Sequence, residues 1–587
     1  MQNPRTVSPE KAKLGCSSCS SSAGILHLSV VRDAPVFARL VAVLAFLCLF
    51  CFETPLLAAT LTWDNTAGGA INDGAGAWLN AGLWNNGSPS ITWTSGDAAN
   101  FGNGGTGGAV TLASPTTASS LTMNGFTGTY TLGTAGQALT INSGITVNAG
   151  AGTTTIISPI TLGGTQTWTN SSASTLTSSA SVTGGANILT LGGTGNGGIT
   201  LSGGLSFSGA GGLVIGKSGT TGTTLSTTAV TMGGTGGLTI NSGASAVTLS
   251  AATSITANQS WTNNSSTSMT VSGAVALTNR LTLAGGTFAF TNANTGTGGI
   301  SLTGGSLAVT NAGGFGPSGN TLTIAGGTLE LRAAATTFTG ALDLSTGAST
   351  ILVNPAATAN GVTHTVSGSL VIGTQTTVLS PGALTNANTA YGLTLSGNKT
   401  FGGGSANHTF TINGNGSAAG VLTLSTGSID LGGSTQTLTF NNGSGTGVNS
   451  AVVNGAFTGT AGTLVFAGSA PVTIGALTSS TSALQINSTT GGAYSSNGAS
   501  TFTGGVTLTA GTLNINSAGA AGSSGPLGNG GNFTINGGTI NNTSGGAITV
   551  GNVNPIAING DFVFGTAAGT SSNNLTLSLI PISEPTR

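Results

Sequence analysis

Short apolar dyads, pairs of aliphatic residues separated by one polar residue, recur along the chain between corners rich in Gly, Ser, Thr and Asn. In "TFTGGVTLTAGTLNINS", Thr501 to Ser517, Val506 and Leu508 form one dyad, and Leu513 and Ile515 resume the pattern after Thr509-Ala510-Gly511. Residues two apart in a strand share a face, so each dyad predicts a short strand with its aliphatic residues inward. Gly511 permits the bend where a Cβ would obstruct it. Thr507, Thr509, Thr512 and Asn514 are expected to face solvent, and β-branched threonine suits extended backbone. One unit is therefore two short strands around a corner.

Related units are "LTLAGGTFAF" at Leu281, "ISLTGGSLAV" at Ile300, "LTIAGGTLEL" at Leu322, "LTLSTGSIDL" at Leu422, "VTLTAGTLNI" at Val506 and "FTINGGTINN" at Phe533. The first three starts are 19 and 22 residues apart and the last two 27, which defines a repeat array with variable loops. A longer echo pairs "TQTWTNSS" at Thr165 with "NQSWTNNS" at Asn258. The apolar area of one unit is too small to offset the conformational entropy of ordering it. Stacking removes the deficit, because each added rung extends one apolar column and its main-chain hydrogen bonds. The pattern thus predicts an all-β fold, a parallel β-solenoid (β-helix) of roughly 20 rungs and on the order of 100 Å in length. An array of β-sandwiches is the alternative, disfavoured by near-identical units at close spacing.

Composition sharpens this picture. The 587 residues include 102 Gly and only 4% charged residues, with mean hydropathy +0.31, unlike charged disordered chains. The glycines keep no three-residue period and Pro totals 15, so the chain is not collagen. A net charge of −1 offers no basic surface for nucleic acid.

Four regions follow. In 1–59, Lys11, Lys13, Arg32 and Arg39 precede the thirteen-residue apolar run "LVAVLAFLCLFCF", Leu40 to Phe52. This reads as a secretory signal cleaved near Ala58 or Ala59, since a retained anchor needs about 18 to 20 apolar residues. The long stretch before the run is either an extended signal or a start codon set too early. Cys16, Cys19, Cys48 and Cys51 all lie upstream of the cleavage point, leaving no thiol in the mature chain and no use for a zinc reading of the two C-x-x-C pairs. Residues 60–112 hold Trp63, Trp78, Trp84 and Trp93, four of the six tryptophans, and are expected to cap the first rung, whose strand edges would otherwise be open. The competing reading is a surface on which sugar rings stack. Residues 113–576 form the repeat solenoid. The tail, 577–587, is similar to the conceptual translation of a sequencing-library adapter and is expected to be non-native.

Candidate chemistry is sparse. "GGLVIGKS", Gly211 to Ser218, matches the phosphate-loop pattern, but the segment after it has no helical character to supply the required N-terminal amides. The mature carboxylates are too scattered for a calcium solenoid. The one ionisable neighbourhood is Glu330, Arg332, Asp343 and His364, which could meet on adjacent rungs as acid and base groups do in polysaccharide-cleaving β-helices. The favoured reading is a solvated Glu330–Arg332 pair, alternating with inward Leu329 and Leu331. Thr-x-Thr rows such as Thr501/Thr503, Thr507/Thr509 and Thr437/Thr439 offer a second surface, for an ordered lattice or crystalline glycan, if they form an unbroken ladder.

Ser500 to Val550, "STFTGGVTLTAGTLNINSAGAAGSSGPLGNGGNFTINGGTINNTSGGAITV", resembles the autotransporter-associated β-strand repeat of large exported bacterial proteins, and the "WDNTAGG...GAW...W" opening resembles their leader. The resemblance implies an exported or surface-displayed β-helical passenger, often followed by an outer-membrane barrel, and carries no catalytic residue. The expected protein is a monomeric, non-catalytic stalk or adhesin without cofactor. Its partners would be extracellular matrix, glycan or another cell surface, with membrane contact only through an anchor or barrel beyond this chain.

Overall fold

The computed structural model describes residues 58–577, apart from 89, 226–227, 403, 479–480 and 566–572. The expected signal segment, apart from residues 58 and 59, and the expected adapter-like tail, apart from residue 577, lie outside the described residues. Among the described residues the secondary structure is strand and turn without helix.

Strands from successive turns of the chain pair in parallel and in register, so the molecule is a β-solenoid. The second face contains 21 strands, from Gly76–Ala77 to Ile556–Ile558, each paired with its counterpart in the next coil. At about 4.8 Å per level, 21 levels span about 100 Å. A first face begins at Thr60–Trp63, and a third runs through nine strands from Thr116–Ala118 to Thr295–Gly296. One coil in this part thus reads Leu121–Met123, Thr129–Leu132, Leu139–Ile141 before Gly144–Val147 opens the next level. Farther along, two ladders of the first face run side by side, one through Tyr391–Leu395 and one through Lys399–Phe401, and both join the long strand Ser450–Thr458.

Each recurring unit encodes a corner and not a whole coil. Leu281, Ile300 and Leu322 align in one column of the first face, and their units turn onto the second face. In the later units Val506 pairs with Phe533 on the second face and Leu513 with Ile540 on the first, so the same motif turns the opposite way between faces.

The alternation places the core as the dyads require. Val506, Leu508, Leu513 and Ile515 are each at most 1% exposed and belong to a continuous apolar column. Asn514 departs from the expectation of a solvent-facing side chain: it is buried, with Nδ2 donating to Ser495 Oγ in the coil below.

At one corner, glycine is dictated by the stack itself. A Cβ on Gly368 would fall on the carbonyl of Gly340, one on Gly397 on that of Gly368, and one on Gly427 on that of Gly397. Successive coils approach so closely there that backbone occupies the side-chain position.

Candidate functional site

The four leading tryptophans point inward. Trp63, Trp78 and Trp84 are fully buried and Trp93 is 7% exposed. Trp84 sits at the centre, with ring centroids 5.3 Å from Trp63, 5.2 Å from Trp78, 4.8 Å from Trp93 and 5.6 Å from Phe101. Trp84 Nε1 donates to Trp78 O at 2.8 Å and Trp63 Nε1 to Gly74 O at 3.0 Å. The rings pack against one another and against Phe101 of the first coils, and being buried they present no free face to a sugar.

The ionisable neighbourhood is only partly assembled. Arg332 forks onto Glu330, with Nη2 at 2.8 Å from both carboxylate oxygens and Nε at 3.0 Å from Oε1. Asn354 Nδ2 also donates to Glu330 Oε1, and the Asn354 carbonyl faces His364 Nε2 at 2.8 Å. Glu330, Arg332 and His364 are therefore linked through Asn354. Contrary to the expected solvated pair, Glu330 is 8% exposed, because its outward position lies between Ala308 and Leu352 and is closed over by Arg332 and Asn354.

His364 occupies an inward position aligned with Leu393, with no exposed surface and its edge against Phe338 at 5.6 Å. Burial pushes its pKa below the ordinary imidazole value. Asp343 is not part of this chain of contacts. It lies on the first face between Thr323 and Val371, and its Oδ1 accepts from the backbone N and Oγ of Ser345 at 2.9 and 2.6 Å. The Glu330 carboxylate is neutralised, His364 is sealed inside, and Asp343 is on another face, so the set does not converge on a groove as acid–base cleavage requires. Surface hollows of about 260 Å³ beside Thr363 and Tyr391 and about 530 Å³ beside Thr512 and Asp561 include neither Glu330 nor His364.

Hydroxyl rows exist, but not where the Thr-x-Thr pairs suggested. Thr437 and Thr439 meet Asn407 and Thr409 on one side and Val465 and Ala467 on the other. Thr507 lies between Gln485 and Thr534, and Thr501 and Thr503 fall outside strands. The unbroken column is on the second face, through Thr131, Thr155, Thr177, Thr200, Thr224, Thr248 and Thr270. A second column on the third face runs through Thr117, Thr140, Thr161, Thr183, Ser206, Thr231 and Ser254. The second-face column is widened only by the paired Thr129 and Thr153 at its start, and the two columns end at Ala289 and Ala276.

Several buried polar groups escaped the sequence reading. Lys399 stands inward between Leu370 and Ile429, 1% exposed, with Nζ donating to Gly397 O at 2.8 Å and Ser425 O at 3.0 Å. Desolvation lowers its pKa to about 8. His408 is fully buried, with Nδ1 facing Gly373 O at 2.6 Å and Nε2 facing Gln436 Oε1 at 2.9 Å. Lys217 of the phosphate-loop lookalike is also buried, its Nζ held by Gly195 O and Ser218 O, and Gly212–Ile215 is a strand of the stack.

The long echo is a buried polar module. Gln166 Oε1 accepts from Trp168 Nε1 at 3.1 Å while its Nε2 donates to Ile141 O; Gln259 does the same for Trp261 at 3.0 Å while donating to Met232 O. Asn170 and Asn263 then clamp carbonyls of their own and neighbouring coils.

Among the described residues, no group of three His, Cys, Asp or Glu could hold a metal ion, and no helix is long and apolar enough to cross a membrane. No family model matches the chain, and neither a curated protein nor a solved structure matches it.

Proposed function

We propose that the chain is an exported bacterial passenger of the autotransporter-associated β-strand repeat kind, working as a non-catalytic stalk or adhesin. The observation that carries this reading is the unbroken 21-strand ladder over one apolar column, with a buried indole cluster packed at its first coils. Such a rod sets a fixed distance between its ends. Its only ion pair among the described residues joins Glu330 and Arg332, and residues 58–577 hold just four Lys or Arg and seven Asp or Glu, so its surface is sparsely charged and hydroxyl- and amide-rich. Extracellular matrix, glycans and other cell surfaces are the partners such a surface suits. The test is adhesion of beads carrying the purified chain to matrix- and glycan-coated supports, run beside an assay for sugar release from polysaccharides. Adhesion without release supports the reading, and release that disappears in Glu330→Gln would overturn it.

The threonine column on the second face favours a second reading, attachment to an ordered surface, because seven hydroxyls recur at the strand spacing of about 4.8 Å. Thr200→Tyr, in the middle of that column, would then abolish co-sedimentation with a crystalline glycan while leaving the fold intact.

A further inference from the structure

The loop after the first strand is fastened by a single carboxylate. Asp64 Oδ1 accepts from Thr66 N, Thr66 Oγ1 and Asn72 N, each at 3.1 Å. The backbone closes the same loop, with Asp64 N donating to Leu83 O and Asn65 N to Asn72 O, both at 3.0 Å. Gly68 and Gly69 turn within it at φ of 88° and 89°. The side chain of Asp64 is 1% exposed, yet its other oxygen, Oδ2, has no hydrogen-bond donor, and neither does the buried Oδ1 of the adjacent Asn65.

The other cap carboxylates differ. Asp73 takes Tyr130 Oη on Oδ1 at 2.8 Å and the amides of Asn103 and Gly105 on Oδ2 at 2.8 and 2.7 Å. Asp97 takes the amides of Ala59 and Thr94, one on each oxygen, at 3.0 Å. No Lys or Arg occurs from residue 58 to 216. The first basic residue after Asp64 in sequence, Lys217, belongs to a coil about six levels along, on the order of 30 Å away. A buried carboxylate with neither counter-charge nor donor on one oxygen is costly. Carboxylate and amide oxygens carried by consecutive residues of a tight loop are the ligand chemistry of a hard cation.

We propose that Asp64 Oδ2 and Asn65 Oδ1 bind a calcium-class cation, completed by loop carbonyls and water, which locks the cap loop. One carboxylate among neutral oxygens gives weak binding, about 0.1 to 1 mM, the range of extracellular calcium modules. The proposal is independent of the passenger reading.

Terbium serves as the calcium probe on the purified full chain, because Trp63 adjoins the site and can sensitise its emission. Saturable indole-excited emission is expected, displaced by millimolar calcium and not by equal magnesium. Asp64→Asn should abolish it, and Asp73→Asn, whose carboxylate already has a donor on each oxygen, should preserve it. Should Asp64→Asn fail to fold, Asn65→Ala leaves the Asp64 hydrogen bonds in place and should weaken calcium displacement about tenfold. Absence of saturable emission in the natural chain at about 10 mM ion, emission unchanged in Asp64→Asn, or calcium displacement unchanged in Asn65→Ala overturns the proposal and leaves a buried water as the occupant.

Discussion

Replacing Lys399 with Met offers a direct measure of what an ammonium costs inside this column. The side chain lies between Leu370 and Ile429, with two backbone carbonyls as its only partners, and no carboxylate, among the described residues. Its pKa falls from 10.5 to about 8 because burial disfavours the charged form. A depressed lysine pKa means the folded chain holds fewer protons than the unfolded chain between pH 8 and 10.5, so stability rises with pH across that window. The 2.5-unit gap (10.5 − 8) corresponds to about 3 kcal/mol of penalty, complete below pH 8. Lys399→Met removes the charge and also leaves the carbonyls of Gly397 and Ser425 without that donor, so its stability at one pH mixes two effects. The pH dependence separates them. Urea unfolding followed by circular dichroism should give a variant-minus-natural difference that shrinks by about 3 kcal/mol from pH 7.5 to 10.5. A difference that stays constant across that range would refute the assignment of Lys399 as a charged group carried in the core.

Trp84→Ala should destabilise the cap by about 3 to 5 kcal/mol and expose the first coil, read as dye binding and concentration-dependent light scattering. Gln166→Leu strands the buried Trp168 indole N–H and should cost about 1 to 3 kcal/mol in chemical denaturation, with Gln259→Leu matching it at Trp261. Since the folded pKa of His364 lies below 6.5, stability should fall as pH drops below 6.5 toward that lowered value, and His364→Phe should remove this part of an acid-unfolding titration. Gly397→Ala should disrupt pairing between the strands Leu370–Ile372 and Lys399–Phe401, seen as lost amide-exchange protection, with Ala at exposed Gly404 as the harmless control.

The strand and the stack were legible because each rests on a local signal. Alternation identifies which side chains share a face, and the repeated dyads imply columns. What alternation cannot report is what lies over an outward position. Alternation alone therefore points Glu330 to solvent, although Arg332 and Asn354 close over it. The frame of the motif within the coil was also hidden, since a corner unit reads the same whichever face it leaves. Three inward polar residues carried an unread signal: His364, Lys399 and His408 each hold the parity of a neighbouring core residue, Val366, Phe401 and Phe410. Most of their partners are distant, with Ser425 O on Lys399 and Gly373 O and Gln436 Oε1 on His408 each more than 25 residues away, which no local pattern announces. The Gln–Trp echo was visible as a repeated string, but its purpose depends on a side-chain bond two residues long, invisible until the indole direction is known.

The glycine corner formed by Gly340, Gly368, Gly397 and Gly427 changes how tolerance to mutation should be judged in this chain. A compositionally loose sequence invites the view that any small residue will do anywhere. At these sites the obstacle is the main chain of a neighbouring turn, which has no rotamer by which to step aside. Drift on the broad faces can thus be extensive while a single methyl group at the corner is felt by two turns at once, and the most ordinary residue in the protein becomes its least replaceable.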